Sequence, residues 1–264
     1  MSDLGARTGP APQARVGTSG WSYRHWRDVF YPAGLAASGW LAHYAQSFTT
    51  VELNASFYRV PKAETFAHWR DATPEGFLFA VKVDRRITHY GKLEGVESLW
   101  RDFLARCENL GERLGCLLFQ FPATFGPDVD CLRRFLDLVD PRLRCAFEFR
   151  HPAWFCEDVY RALEQYGQAL CRASSPFSDP EGPPGWPDVD VTTADFVYVR
   201  MHGSGSLYSS CYTDDELKKW AAQLRPHLRA GRDVFVYFNN DAKGYAVQNA
   251  MLLQRLLRRG RRTC

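Results

Sequence analysis

Eight short runs along the chain have the apolar and β-branched character of strands, and most stretches between them have the spacing of helices. The runs span 15–19, 50–54, 77–83, 116–121, 144–149, 168–173, 196–202 and 233–240. In 35–47, apolar Leu35, Trp40, Leu41 and Tyr44 recur at helical spacing. Pro61 opens the next helix, and further helices are expected over 94–110, 129–139, 155–166, 217–228 and 246–257. Gly167 suits the left-handed residue that ends a helix. Thr213-Asp214-Asp215-Glu216 reads as a capping box ahead of Leu217. Alternating strands and helices imply a parallel sheet, and eight strands is the number that closes a barrel. The expected fold is therefore α/β, a single (β/α)8 TIM-type barrel. One connection departs from the pattern. Residues 174–194 are rich in Pro, Gly, Ser and Asp, and Pro183-Pro184-Gly185-Trp186-Pro187 admits no helix. The link between strands 6 and 7 is expected to be largely a Pro/Gly-rich loop.

Successive side chains on a strand point to opposite faces. In six of the runs one parity is polar toward the C-terminal end and the other is apolar. Glu52 and Asn54 oppose Val51 and Leu53. Lys82 and Asp84 lie with Leu78 and Ala80, and Gln120 with Leu118. Glu148 and Arg150 oppose Phe147 and Phe149. Tyr198, Arg200 and His202 oppose Val197, Val199 and Met201, and Tyr237, Asn239 and Asp241 oppose Val236 and Phe238. A barrel gathers the C-terminal strand ends at one mouth, where barrel enzymes keep their chemistry. Buried ion pairs such as Glu52–Lys82 or Glu148–Arg200 are the purely structural alternative. Burying this many charges for structure alone is costly, which favours a functional pocket.

The candidate catalytic residues are Glu52, Lys82, Glu148, His202 and Asp241. Glu52 and Glu148 suit an acid/base pair, or neutralise neighbouring cations. Lys82 suits a Schiff-base amine or a phosphate ligand, or is a salt-bridge partner. His202 suits a base or a metal ligand, or is a hydrogen-bonded core residue. The candidate substrate-binding residues are Ser19, Trp21, Tyr23, Asn54, Gln120, Arg150, His151, Arg200, Tyr237, Asn239 and Asn240. Trp21, Tyr23 and Trp26 follow the first strand in a Gly-rich turn, placed to stack on a ligand ring or to roof the barrel. No cofactor is assigned, and no residue is assigned as a metal ligand.

Length and composition narrow this reading further. A chain of 264 residues with 45% hydrophobic residues fits one large domain. A net charge of +3 says little about partners. Arg255, Arg258, Arg259, Arg261 and Arg262 crowd the C-terminus. They suit a solvated last helical turn, with a nucleic-acid arm as the alternative. The eight cysteines include no C-x-x-C pair, so free core thiols in a reducing compartment are expected. No stretch is apolar enough to span a bilayer, and residues 1–14 lack the apolar region of a secretory signal. They are read as a disordered lead, 15–260 as the barrel, 261–264 as a basic tail, and the cytoplasm as the location. G-x-G-x-x-G, Walker-type and G-x-S-x-G motifs are absent from the sequence.

The same segments resemble a known family. Its opening signature is matched by Gly17-Thr18-Ser19-Gly20-Trp21-Ser22-Tyr23 with Trp26 and Phe30-Tyr31-Pro32. Thr50-Val51-Glu52-Leu53-Asn54 follows, with Phe57-Tyr58 and Pro61. Next come Gln120-Phe121-Pro122 and Glu148-Phe149-Arg150-His151-Pro152 with Trp154. Tyr198-Val199-Arg200-Met201-His202-Gly203 and Tyr237-Phe238-Asn239-Asn240-Asp241 complete the set. The chain thus resembles the YecE-like family, domain of unknown function 72, over about 16–257. The resemblance implies a TIM barrel with these motifs at its mouth, and it implies no reaction. Ser56 stands where relatives often have Thr, which keeps the hydroxyl.

Four functions are weighed. The first is an enzyme using acid/base chemistry on a small anionic substrate, phosphorylated or carboxylate, held by Lys82, Arg150 and Arg200. The second is a divalent-metal hydrolase or isomerase with ligands from Glu52, Glu148, His202 and Asp241, a fold-level analogy that the three cations oppose. The third is a non-enzymatic binder of nucleic acid or a metabolite, against which the modest net charge argues. The fourth is a glycosidase pairing Glu52 with Glu148.

Overall fold

Each of the eight apolar runs folds as a parallel strand. These are β1 (Ala14–Thr18), β2 (Thr50–Leu53), β3 (Leu78–Lys82), β4 (Leu114–Gln120), β5 (Cys145–Glu148), β6 (Ala169–Ser174), β7 (Phe196–Met201) and β8 (Asp233–Phe238). The computed structural model describes residues 11–174, 176 and 187–259. The strands lie in the order β1-β8-β7-β6-β5-β4-β3-β2. A parallel bridge between Ser19 and Glu52 brings the two ends of this sheet together, giving a nearly closed TIM-type barrel. The seam is tight at Gly17, where a Cβ would sit 2.3 Å from the Thr50 carbonyl oxygen. The Tyr44 hydroxyl spans it as well, accepting from Thr18 N at 3.0 Å and donating to Thr50 O at 3.1 Å.

The helices are α1 (Trp40–Ser47), α2 (Ala55–Tyr58), α3 (Ala63–Asp71), α4 (Glu97–Cys107), α5 (Val129–Leu136), α6 (Glu157–Gln165), α7 (Asp214–Arg229) and α8 (Tyr245–Arg259). The capping box at α7 is present, with Glu216 N donating to Thr213 Oγ1 at 3.3 Å and Thr213 N to Glu216 Oε2 at 2.7 Å. Gly167, at φ 65°, follows α6. The helix expected over 35–47 is shorter than its apolar spacing suggested, because a 3-10 turn at Ala37–Gly39 precedes α1. The one expected from Pro61 begins at Ala63, and α2 was not foreseen. A π-helical turn at Arg86–Tyr90 follows β3, a kind of irregularity that recurs at functional sites.

The strand parities divide as the alternation requires. Val51, Val81, Phe119, Phe147, Val199 and Val236 belong to the layer shared with the helices. The opposite parity fills the barrel. There Phe196, Tyr198, Phe235 and Tyr237 from β7 and β8 lie across Ala80, Cys116, Ala146, Ala169 and Cys171 from β3 to β6. Large rings on one wall are accommodated by small side chains on the other. The N-terminal end is closed by Arg144, paired with Asp233 at 2.8 Å and lying over the rings of Phe196 and Phe235.

The ends need one correction. Gln13 and Ala14 were read as part of a disordered lead, yet Gln13 O accepts from Val234 N at 3.0 Å and β1 starts at Ala14. Arg255, Arg258 and Arg259 lie in α8. Residues 1–10 and 260–264 lie outside the described residues, as does the Pro183–Trp186 stretch of the sixth connection. Where that connection is described again, Arg172 holds it to the barrel through Asp188 at 2.9 Å and Asp190 at 3.0 Å. Among the described residues, no helix is long and apolar enough to cross a membrane.

Candidate active site at the barrel mouth

A cavity of about 790 Å³ opens at the C-terminal ends of the strands. Its walls carry Tyr23, His25, Asn54, Phe57, Tyr58, Lys82, His89, Gln120, Pro122, Ala123, Arg150, Arg200, Tyr208, Asn239 and Asp241. Beneath it lies a buried ionic network centred on Arg200. Its Nε and Nη2 donate to Glu52 Oε2 and Oε1 at 3.0 and 2.8 Å, and Nη1 donates to Glu148 Oε2 at 2.7 Å. Ser19 Oγ adds a bond to Glu52 Oε1 at 2.7 Å, and Tyr198 OH one to Oε2 at 2.8 Å. Glu52 therefore accepts four hydrogen bonds, which saturates a carboxylate. Glu148 Oε1 accepts from Arg150 Nε at 3.0 Å. Burial works to raise the Glu148 carboxyl, but Arg200, Arg150 and His202 outweigh it and hold it well below the usual carboxylate range.

Lys82 stands apart from this network. Its ammonium makes no hydrogen bond or ion pair among the described residues, and Nζ lies 4.0 Å from the centroid of the Phe57 ring. Burial, then the charge of Arg200, push its amine down to about 7, against a pull upward from Glu148 and Glu52. Ser56 supports this strand end, since its Oγ donates to the Lys82 carbonyl at 2.6 Å. The π-helical turn brings His89 to the same wall, where its ring meets Phe57 edge-on at 4.8 Å. Burial and the cations Lys82 and Arg150 push His89 down to about 4, so it is neutral at ordinary pH.

The opposite wall comes from β8. Asp241 accepts from Trp26 Nε1 at 2.8 Å and pairs with His25 Nε2 at 2.9 Å. Burial raises its carboxyl, with Trp26 and His25 opposing. Asn239 Nδ2 donates to His202 Nδ1 at 3.2 Å, which places the ring proton on Nε2, 3.9 Å from Glu148 Oε1. Burial and Arg200 hold His202 well below its ordinary value, so it is a neutral core imidazole.

The structure gathers most of the sequence-predicted residues but sorts them. Tyr23, Asn54, Lys82, Gln120, Arg150, Arg200, Asn239 and Asp241 line the cavity. Ser19, Glu52, Glu148 and His202 sit buried beside it, within the network just described. Tyr237 is deeper still, bonded to Thr50 Oγ1 at 2.6 Å inside the barrel. Three predicted ligand residues do not join. Trp21 faces a separate cavity of about 450 Å³ between the barrel and α1 and α3, edge-on to Trp69 at 5.2 Å. His151 caps the Pro152–Trp154 turn through Ala153 N at 3.2 Å. Asn240 has the outward parity and donates to Ser210 O and Asn249 Oδ1 at 2.8 and 2.9 Å. The expected acid/base pair is instead tied into the network, because Glu52 and Glu148 share Arg200 and all four acceptor positions of Glu52 are occupied. Of the two ion pairs weighed, Glu148–Arg200 forms, while Glu52 pairs with Arg200 rather than Lys82. Lining residues outside the predicted set are His25, Phe57, Tyr58, His89, Pro122, Ala123 and Tyr208, all in turns or short helices beyond the strand ends. The metal quartet of Glu52, Glu148, His202 and Asp241 is not assembled. Among the described residues, the ligand atoms that converge in a group of three or more belong to Glu94, Asp128 and Cys131. There Asp128 is already the cap of α5, accepting from Cys131 N at 2.8 Å.

A family profile described as "Protein of unknown function DUF72" matches residues 15–264. UPF0759 protein YunF of Bacillus subtilis is 28% identical, over 92% of this chain and 94% of its own length. UPF0759 protein YecE of Escherichia coli is 33% identical over 58% of this chain and 56% of its own. The solved structure of a DUF72 family protein from Thermotoga maritima has a TM-score of 0.83 at 31% identity, covering 93% of this chain and 99% of that one. A second, from Enterococcus faecalis, gives 0.80 at 23% identity over 93% and 96%, a likeness of fold alone. None of these names states a reaction.

Proposed function

The chain belongs to the DUF72 family, and from the chemistry of its barrel mouth we propose that it is an enzyme that moves protons on a small anionic substrate. The observation that carries this reading is the division of charge. Glu52 and Glu148 at the floor are neutralised by Arg200 and by the Nε of Arg150, so the cavity wall carries an excess of cationic groups from Lys82 and from Arg150, whose Nη2 also donates to the Tyr208 hydroxyl at 3.3 Å. A phosphate or carboxylate entering the cavity meets donors and cations, with Arg150 offering the planar geometry that suits such anions. Lys82 then serves as the acid/base group, because an amine held near 7 exchanges its proton readily at ordinary pH. Arg200 drops out of the anion-binding set, since three of its donors are already committed. The seven described cysteines are all free, which supports a reducing compartment such as the cytoplasm.

Titration calorimetry with inorganic phosphate tests the reading. Arg150→Met is expected to weaken binding on the order of tenfold, about 1.4 kcal/mol. Equal affinity in the two proteins, or no binding by either, sinks it.

A further inference from the structure

We infer that Lys82 is a nucleophile, and that its amine condenses with the carbonyl carbon of a small aldehyde or ketone carrying a phosphate or carboxylate group. The inference rests on the anionic-substrate reading and adds the substrate's reacting group.

Three observations carry it. Of the chain's six lysines, Lys82 alone is buried, at 9% exposure; Lys62, Lys218, Lys219 and Lys243 are exposed and Lys92 is half-buried. A buried lysine ordinarily finds a carboxylate. Here Glu52 and Glu148 are both close enough to act on its charge, yet the arginines occupy them and Nζ rests against the Phe57 ring instead. An apolar face and a neighbouring cation favour the neutral amine, and only that form attacks carbon. Lastly, Lys82 and Arg150 line one cavity from β3 and β5, with β4 between them. Two strand spacings are roughly 10 Å. Both side chains reach into the cavity, so a short molecule can set its anion on Arg150 and its carbonyl at Nζ.

The step balances without an outside reagent. The ammonium releases a proton, and Nζ attacks the carbonyl carbon. The C–N bond forms as the C=O π pair moves to oxygen, which takes a second proton from nitrogen to give a carbinolamine. The nitrogen lone pair then expels that hydroxyl, which leaves as water with the proton first released. The sum is ammonium plus carbonyl giving iminium plus water. The iminium withdraws electrons from the adjacent carbon and makes its C–H acidic; with the Lys82 nitrogen now the iminium, the neutral imidazole of His89 on the same wall takes that proton in place of the free amine.

Reductive trapping decides the matter. The full chain is incubated with pyruvate and, separately, with dihydroxyacetone phosphate. It is then reduced with borohydride and analysed by intact mass and peptide mapping, with phosphate binding measured in parallel. One adduct per chain is expected on Lys82, trapped roughly tenfold or more faster than any other lysine. The adduct is expected to be lost in Lys82→Arg, which keeps a cation but not the amine. Phosphate binding with no adduct preferring Lys82 overturns the imine and leaves the anion reading standing. Neither binding nor adduct overturns both.

Discussion

Arg200 and Lys82 are buried cations that face one cavity, but the fold treats them in opposite ways. Arg200, at 1% exposure, spends three donors on two carboxylates that are themselves at 0%. Lys82, one sheet position above Ala80, has an aromatic ring for company and no counter-ion among the described residues. The difference separates the scaffold of the mouth from its reactive part. A saturated network fixes geometry, because every displacement breaks several charged hydrogen bonds at once. An amine that nothing neutralises costs stability and stays available to a ligand. The largest expected effect follows. Arg200→Met leaves Glu52 and Glu148 buried without the guanidinium they share, and urea unfolding should show a loss of about 3–5 kcal/mol. Adding Glu52→Gln and Glu148→Gln to that variant should recover part of the loss. A change below about 1 kcal/mol in the single variant would mean that the Arg200 network is not what holds the mouth in shape.

Lys82→Met should act in the reverse direction. The folded amine gives up its proton near 7 and the unfolded one near 10.5. Between those values the unfolded chain holds the extra proton, so wild-type stability rises with pH relative to the variant. Below pH 7 the charged amine exerts its whole penalty, and Lys82→Met should then be more stable than wild type by on the order of a few kcal/mol. That advantage should shrink as pH rises from about 7 toward 10. Parallel unfolding curves across the range check it, and a variant that is less stable at pH 6 contradicts it. A smaller and more local effect sharpens the same point. Competitive acetylation followed by peptide mapping should give Lys82 a reactivity midpoint near 7, well below the exposed lysines.

The apolar, β-branched runs were enough to read the eight strands, and period-two alternation the two faces of six of them and the clustering of Glu52, Lys82, Glu148 and Arg200 at one end. It could not pair them. Whether Glu52 meets Lys82 or Arg200 depends on how far each side chain reaches across a barrel whose other wall is filled by Phe235 and Tyr237. Parity also fails past a strand end. Trp21, beyond the end of β1, leaves the mouth for Trp69, whereas Asn240 turns outward to Asn249 as the alternation from Asn239 requires and joins the candidate ligands only through its place in the motif. His89 was missed for a related reason, since it reaches the cavity only because the turn at Arg86–Tyr90 is π-helical. The order of the YecE-like motifs carried the fold, but motif order is silent about which charges neutralise one another.

Asp241 tests where the boundary between the two regions runs. It has two partners of different character: Trp26 is fully buried, whereas the His25 side chain is 44% exposed. A hydrogen bond lost in the interior leaves a desolvated group behind and costs about 1–2 kcal/mol. A polar contact open to water is worth about 0–1 kcal/mol. Trp26→Phe should therefore be the costlier change, and His25→Ala should move the urea midpoint only slightly. That ordering would put His25 on the open side with Lys82, where a side chain is available to a ligand at little cost to the fold. Equal losses would instead place His25 and Asp241 with Arg200 in the saturated scaffold, and the reactive part of the mouth would narrow to the wall that carries Lys82, His89 and Arg150.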